Sequence, residues 1–282
     1  MNPSRLVRAF TLIELLVVVV IIALLLVLLL PALSEAKKHA QSAVCKSNLH
    51  GLNRCASMYE GDYGFTMPHD SGPISWAGPD QKGFIYPYIG MEIQLDVKKR
   101  NKIWMCPAMI RDQSAIIYQW NDYAINSYSA QSAALKVNDF KNPAGTMQFA
   151  DVGYGASMTP MTLTFLSTQD IMYPTAPITL SSTPTTLSTY QGYFHGRHPG
   201  NRGNVAWYDG HVDEQTPVPV TDNPTWTPFM NKWHTGYLTP VPGPVTTSQL
   251  YNSKTRSGRN GYFFADPDTG RLVSSPNSMG NF

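Results

Sequence analysis

The chain has 282 residues, enough for one large domain or a smaller one with long insertions, and a formal net charge of +2. Both of those charges lie in the first nine residues (Arg5, Arg8). Without them 19 basic groups face 19 acidic ones, so the rest of the chain lacks the basic field that nucleic-acid binders use. Three cysteines with no CxxC pair are too few for a disulfide framework and do not support a structural zinc site of the usual spacing.

From Phe10 to Leu33 the chain is apolar except for Thr11, Glu14 and Pro31. At about 1.5 Å per residue this stretch spans about 36 Å, slightly more than the hydrocarbon thickness of a bilayer. A secretory signal has a shorter apolar core, about 7–15 residues, and a small-residue cleavage site on its far side. No such site follows Leu33, and the pattern runs on into SEAKKHAQSAVCKSNLHGL. Arg5 and Arg8 place the N-terminus in the cytoplasm and the body outside, giving a single pass. A carboxylate within such a helix costs on the order of 2.5–3.5 kcal/mol, less near the interface, so Glu14 calls for a partner.

RAFTLIELL (8–16) resembles the prepilin leader junction of type IV pilins and type II secretion pseudopilins. The resemblance implies cleavage between Ala9 and Phe10 by a prepilin peptidase and N-methylation of Phe10. It also implies that Glu14 pairs with the N-terminal amine of a neighbouring subunit, so that two charges costly in lipid offset one another. Ala9 departs from the glycine usual before the cut. Pro31 falls where pilins often carry a helix-kinking proline, and the loss of its N–H can bend or locally melt the helix.

Beyond the apolar run, Cys45, Leu49, Leu52, Ala56 and Tyr59 recur at a spacing of three or four and mark one helical face. Lys37, Lys38, Lys46 and Glu60 occupy other positions, so the helix becomes amphipathic and presents a stripe to a sheet. Gly61 and Gly64 suit its termination. The heptads of a free-standing coiled coil are missing. A charged content of only 14% over the whole chain, with 22 Pro and 21 Gly, predicts that the body after the helix is loop-rich with short strands.

That body resembles a narrower group, the prepilin-like proteins with a processing-associated motif of His, nine residues, then Asp-Gly. The matching stretches are CKSNLHGLNRCASMYEGDYGFTMP, IWMCPAM, DYAINSY, NPAGTMQFADV and GRHPGNRGNVAWYDGHVDE. Here ten residues, not nine, separate His198 from Asp209, and the extra one is expected in the polar turn PGNRGN.

Read without the family, NVAWYDGHVDE is two alternating strands around Asp209-Gly210, a two-residue hairpin signal in which both turn positions take positive φ. A sharper reading is a divalent-metal site in which the hairpin converges His195, His198, Asp209, His211 and Asp213. The turn interrupts the shared strand face that such a site needs, so the plain hairpin is preferred. ADPDTGRL (265–272) is the nearest approach to a calcium loop, and a plain turn explains it. In an exported domain a Cys45–Cys106 bridge would clip helix to body, worth about 2–4 kcal/mol. Cys55 is a competing partner, and three reduced buried thiols are the other reading.

These readings divide the chain into a leader (1–9), a membrane and assembly helix (10–33), its amphipathic continuation (34–62) and an exported β-rich body (63–282). Within the body lie a Thr/Ser/Pro-rich insertion (156–190), the hairpin motif (195–214) and a C-terminal extension (215–282) rich in Pro and Trp. The fold class expected is α+β, a long helix laid on an antiparallel sheet with long loop insertions. No G-x-S-x-G, H-E-x-x-H or Walker loop occurs, so no enzyme and no cofactor are expected beyond that candidate metal. The expected role is structural. The subunit sits in the inner membrane with its body periplasmic or extracellular, and is processed by prepilin peptidase. It joins other pilin or pseudopilin subunits through an assembly platform, and no nucleic acid takes part. The alternative is a surface-displayed module that binds glycan through aromatic loops carrying Trp226 and Trp233.

Overall fold

The computed structural model describes residues 11–67, 70–71, 74–75, 84–90, 102–108, 122–126, 135–136, 138, 140–153, 171–172, 193–219, 221, 227, 230–231, 234–236, 238, 243–244 and 246. Helix α1 runs from Leu12 to Tyr63. Thr11 caps its start: the Glu14 N–H donates to Thr11 Oγ1 while Glu14 Oε2 accepts from the Thr11 N–H. At its other end Gly64 takes φ 76° and donates its N–H to the Glu60 carbonyl, satisfying one of the open carbonyls of the last turn. The helix is continuous through Pro31, so it does not melt there; the missing N–H leaves a single carbonyl one turn earlier without its helical donor.

The two halves of α1 behave differently. Large apolar residues from Leu12 to Leu33 are exposed, whereas Cys45, Leu49, Leu52 and Ala56 are completely buried and Tyr59 packs beside them. The spacing of three to four turns that stripe onto the sheet. Ser42, Asn53 and Glu60 are buried on the same side. Glu60 therefore departs from the outward position expected of it, because Gln148 Nε2 donates to its carboxyl at 3.0 Å and supplies the partner that a buried acid requires.

Four strands form the body of the main sheet: β3 (Tyr123–Asn126), β4 (Met147–Gly153), β7 (Gly203–Trp207) and β8 (Val212–Gln215). The order is β8-β7-β4-β3, antiparallel throughout, and β5 (Ile171–Met172) adds a short parallel pairing outside β3. The far end of β4 pairs with β6 (Tyr193–His195), which in turn pairs with β9 (Thr235–Gly236). A separate pair, β1 (Asp70–Ser71) and β2 (Ile74–Ser75), follows α1. The architecture is α+β, with α1 lying across β7, β4 and β8.

The register of β4 decides which side chains meet the helix. Phe149 joins Leu49, Leu52 and Tyr123 in the core under α1, while Ala150 and Val152 pack with Phe194, Val205 and Trp207. The alternation follows from the two-residue period of a strand. A register shift falls between Met147 and Phe149, a bulge that sets Gln148 where its amide reaches Glu60. Edge strand β8 stays half-exposed and charged, and Glu214 pairs with Lys46 of α1 at 2.8 Å.

Candidate functional site

Two places on the molecule carry chemistry. The first is the exposed apolar half of α1. The helix is long and apolar enough to cross a membrane, and this half of it is not buried against the described residues of the body. Its only charged group is Glu14, whose Oε2 accepts from the Thr11 N–H at 2.9 Å and from Thr11 Oγ1 at 2.8 Å. The acid is held at the helix N-terminus, where the macrodipole and two open N–H groups favour a negative charge. Ala9 and Phe10 lie outside the described residues.

The second place is the junction where α1, the Cys-Pro segment and the sheet meet. A disulfide joins Cys45 on α1 to Cys106, with the two Cα atoms 5.3 Å apart. Cys55 remains a buried free thiol whose Sγ donates to the Tyr88 carbonyl at 3.4 Å, and burial pushes its pKa up. His198, itself buried, sets Nε2 3.7 Å from Cys106 Sγ and 2.9 Å from Asp151 Oδ2. Asp151 Oδ2 also accepts the Asn204 N–H at 2.7 Å. Asp122 Oδ2 accepts the Cys106 N–H at 2.5 Å, and the Arg197 guanidinium donates to the Val152 and Asp122 carbonyls. Tyr123 reaches Asn48 of the helix at 3.2 Å, and burial pushes its phenol pKa far up, so it stays neutral.

His198 and the Asp-Gly turn, which the sequence motif links, are not brought together. His198 pairs across a turn with Arg202, just before β7, whereas Asp209 and Gly210 follow its other end. A five-residue strand puts roughly 15 Å of extended chain between them. His198 reaches inward, while Asp209 and His211 are exposed and bond each other, Oδ1 to Nδ1 at 2.5 Å. His195 pairs with Thr235 in β6–β9, and Asp213 accepts from Trp207 Nε1 at 2.7 Å. The five residues named for a converged site thus fall into four separate arrangements.

The turn also differs in type. Gly210 takes φ 95°, but Asp209 does not share the positive φ that a two-residue hairpin asks of both positions. Trp207 donates its N–H to the His211 carbonyl and accepts the Gly210 N–H, which makes a three-residue loop closed by a left-handed glycine. The Asp209 carboxylate accepts the His211 N–H at 3.1 Å and fixes the turn from its side chain. Earlier in the motif, Gly200 and Asn201 both take positive φ in the polar turn that links His198 to Arg202.

Sequence reasoning missed Asp151, Asp122, Asn48 and Asn53 as polar anchors. Asn53 Nδ2 donates to the Trp207 carbonyl at 2.7 Å, and Ser42 Oγ donates to Glu214 at 3.2 Å. The signal lay in the helical stripe: Ser42 and Asn53 continue the apolar face with polar residues, which helix packing tolerates only where a partner waits. Trp226, Trp233, the stretch 265–272 and all of the 156–190 insertion except 171–172 lie outside the described residues.

A bilayer-length helix with an acid at its start, continuing as an amphipathic helix on an antiparallel sheet, is an arrangement consistent with a pilin fold and with membrane anchoring. The prokaryotic N-terminal methylation motif matches residues 4–30 and supports a type IV pilin-like or pseudopilin-like protein. That motif implies processing by prepilin peptidase and assembly with other pilin subunits in general. The match covers leader and apolar helix, and the His198–Asp209 motif lies outside it. No curated protein and no solved structure matches the chain.

Proposed function

We propose that the chain is a structural prepilin-like subunit, cut between Ala9 and Phe10, N-methylated on Phe10 and assembled through α1 into a type IV pilus or a type II secretion pseudopilus. The observation that carries this reading is the exposed apolar half of α1, which has no partner among the described residues and holds Glu14 at its capped start. Apolar helices of neighbouring subunits cover that surface in a filament, and the bodies face outward. Before assembly the subunit rests in the inner membrane, N-terminus cytoplasmic and body periplasmic, an orientation that Arg5 and Arg8 favour.

Assembly then exchanges partners at Glu14. In the separate subunit its carboxylate is satisfied by Thr11. In the filament the ammonium of a neighbour's Phe10 replaces hydrogen bonds from neutral donors with an ion pair, in which both donor and acceptor are charged. The reading assigns a mechanical role and no catalysis. Mass spectrometry of the chain from membranes is expected to find methylated Phe10 as its first residue. Glu14→Ala is expected to abolish or slow filament incorporation while leaving the body folded. An intact Met1 in the working protein, or normal incorporation of the variant, refutes the mechanism.

A further inference from the structure

A disulfide by itself needs no acid and no imidazole beside it, yet the Cys45–Cys106 pair has both. The side chains of His198 and Asp151 are completely buried, and removing such a pair from water carries a desolvation cost that good geometry must offset. The offset is incomplete, because among the described residues Asp151 Oδ1 and His198 Nδ1 have no hydrogen-bond partner, and neither do Arg197 Nε and Nη1. The ligand atoms of Cys45, Cys106 and His198 all lie within 4.8 Å of one another.

We propose that the reduced form of this clip is a metal site, in which Cys45 Sγ, Cys106 Sγ and His198 Nε2 hold a zinc-like divalent ion and Asp151, beside His198, turns in to supply an oxygen as the fourth ligand. Two thiolates with one imidazole are a donor set that suits zinc, and the carboxylate completes four-coordination. The spacing fits. A tetrahedral centre with metal–sulfur near 2.3 Å and metal–nitrogen near 2.0–2.1 Å requires a sulfur–nitrogen edge of about 3.6 Å. The structure has Cys106 Sγ 3.7 Å from His198 Nε2, with Asp151 Oδ2 2.9 Å from the same nitrogen. The sulfur–sulfur edge of such a centre is about 3.8 Å, so opening the disulfide and turning the two side chains completes the polyhedron. An ion here gives Asp151 Oδ1, the carboxylate oxygen with no partner among the described residues, a cation to bind, and Arg197 offsets the remaining negative charge.

The chemistry balances with a trialkylphosphine as reductant. Phosphorus gives two electrons to the S–S bond and takes the oxygen of one water to become the phosphine oxide. The two protons of that water end on the two sulfurs as thiols. The metal ion then displaces those two protons and binds both thiolates. In the oxidised protein neither sulfur carries an electron pair free enough to ligate, so oxidation and metal binding exclude one another. The helix is clipped to the body in both states, by a covalent bond in one and by an ion in the other.

The test uses the full chain in detergent, reduced with phosphine and titrated with Co2+ alone. The expected result is one Co2+ per reduced chain, with a thiolate-to-cobalt charge-transfer band and the intense visible bands of a tetrahedral centre, all lost on adding Zn2+. The oxidised chain is expected to show neither. Zn2+ should also protect Cys45 and Cys106, but not Cys55, from alkylation mapped by mass spectrometry. His198→Asn is expected to weaken Co2+ binding at least tenfold. Three reactive thiols with no charge-transfer band overturn the proposal. So does a band that persists in the Cys45→Ser/Cys106→Ser double variant, which would mark adventitious binding at Cys55. The alkylation map of the unmutated chain decides the matter even if a variant fails to fold.

Discussion

The Cys45–Cys106 bridge closes a chain separation of 61 residues between the helix and the body. In the chain-entropy description, a loop of that length limits the unfolded ensemble by about 4 kcal/mol at 25 °C. For a body of roughly 150–250 residues each kcal/mol shifts the melting temperature by about 2–4 °C, so reduction should lower it by about 8–16 °C. The measurement is near-ultraviolet circular dichroism of the full chain in detergent, with and without phosphine and with a chelator present. Thiol titration under denaturing conditions follows the bridge in parallel. Oxidised protein should show one thiol, Cys55, and reduced protein three. The double variant Cys45→Ala/Cys106→Ala should melt close to the reduced protein and ignore phosphine. An unchanged melting temperature at three thiols per chain would refute the reasoning, since it would mean that the anchors around Asn48, Asn53 and Ser42 fix the helix without help from the bridge.

Further outcomes follow from the polar contacts along α1. Burial pushes the Glu60 carboxyl up to about 8, despite hydrogen bonds from Gln148 and from the Met67 backbone that act in the other direction. A raised folded pKa means that the native state holds the proton longer. The contribution of this group to stability is therefore full below about pH 4.5 and is lost as pH rises toward 8, by a few kcal/mol at most. Urea titrations across that range should show the slope in the parent and lose it in Glu60→Gln. Asn53→Ala removes one of the two donors to the buried Trp207 carbonyl, which keeps the Gly210 N–H, and should cost about 0.5–1.5 kcal/mol in the same assay. Loss of less than 0.5 kcal/mol would show that the helix-to-hairpin bond contributes little. Glu14→Ala should leave all of these stabilities unchanged, because Glu14 stands in the exposed half of α1 and among the described residues bonds Thr11 alone.

The readable part of this protein is the part governed by local rules. Apolar length and one acid mark the membrane segment, and three-to-four spacing marks Cys45, Leu49, Leu52 and Ala56 as the inward stripe. Glycine freedom marks the helix end at Gly64. None of these needs knowledge of what lies opposite. The candidate site was less legible. Asp151 sits in a strand whose pattern announces only burial, and His198 sits in a motif whose other named residues, Asp209 and Gly210, belong to a turn at the far end of β7. Proximity in the motif suggested a shared site; the strand between them keeps the residues apart.

Sequence alone therefore determined the helix, its membrane half, its packing face and the strand-rich character of the body, because periodicity and composition act on neighbours along the chain. The tertiary structure decided which of three cysteines pair, that Glu60 turns inward to Gln148, and that His198 meets Asp151 beside the bridge. Those outcomes depend on sheet register and on the bulge in β4, where a shift of one residue moves a side chain to the opposite face. Register is fixed by the summed packing of strands far apart in the sequence, and no single stretch of the chain carries it.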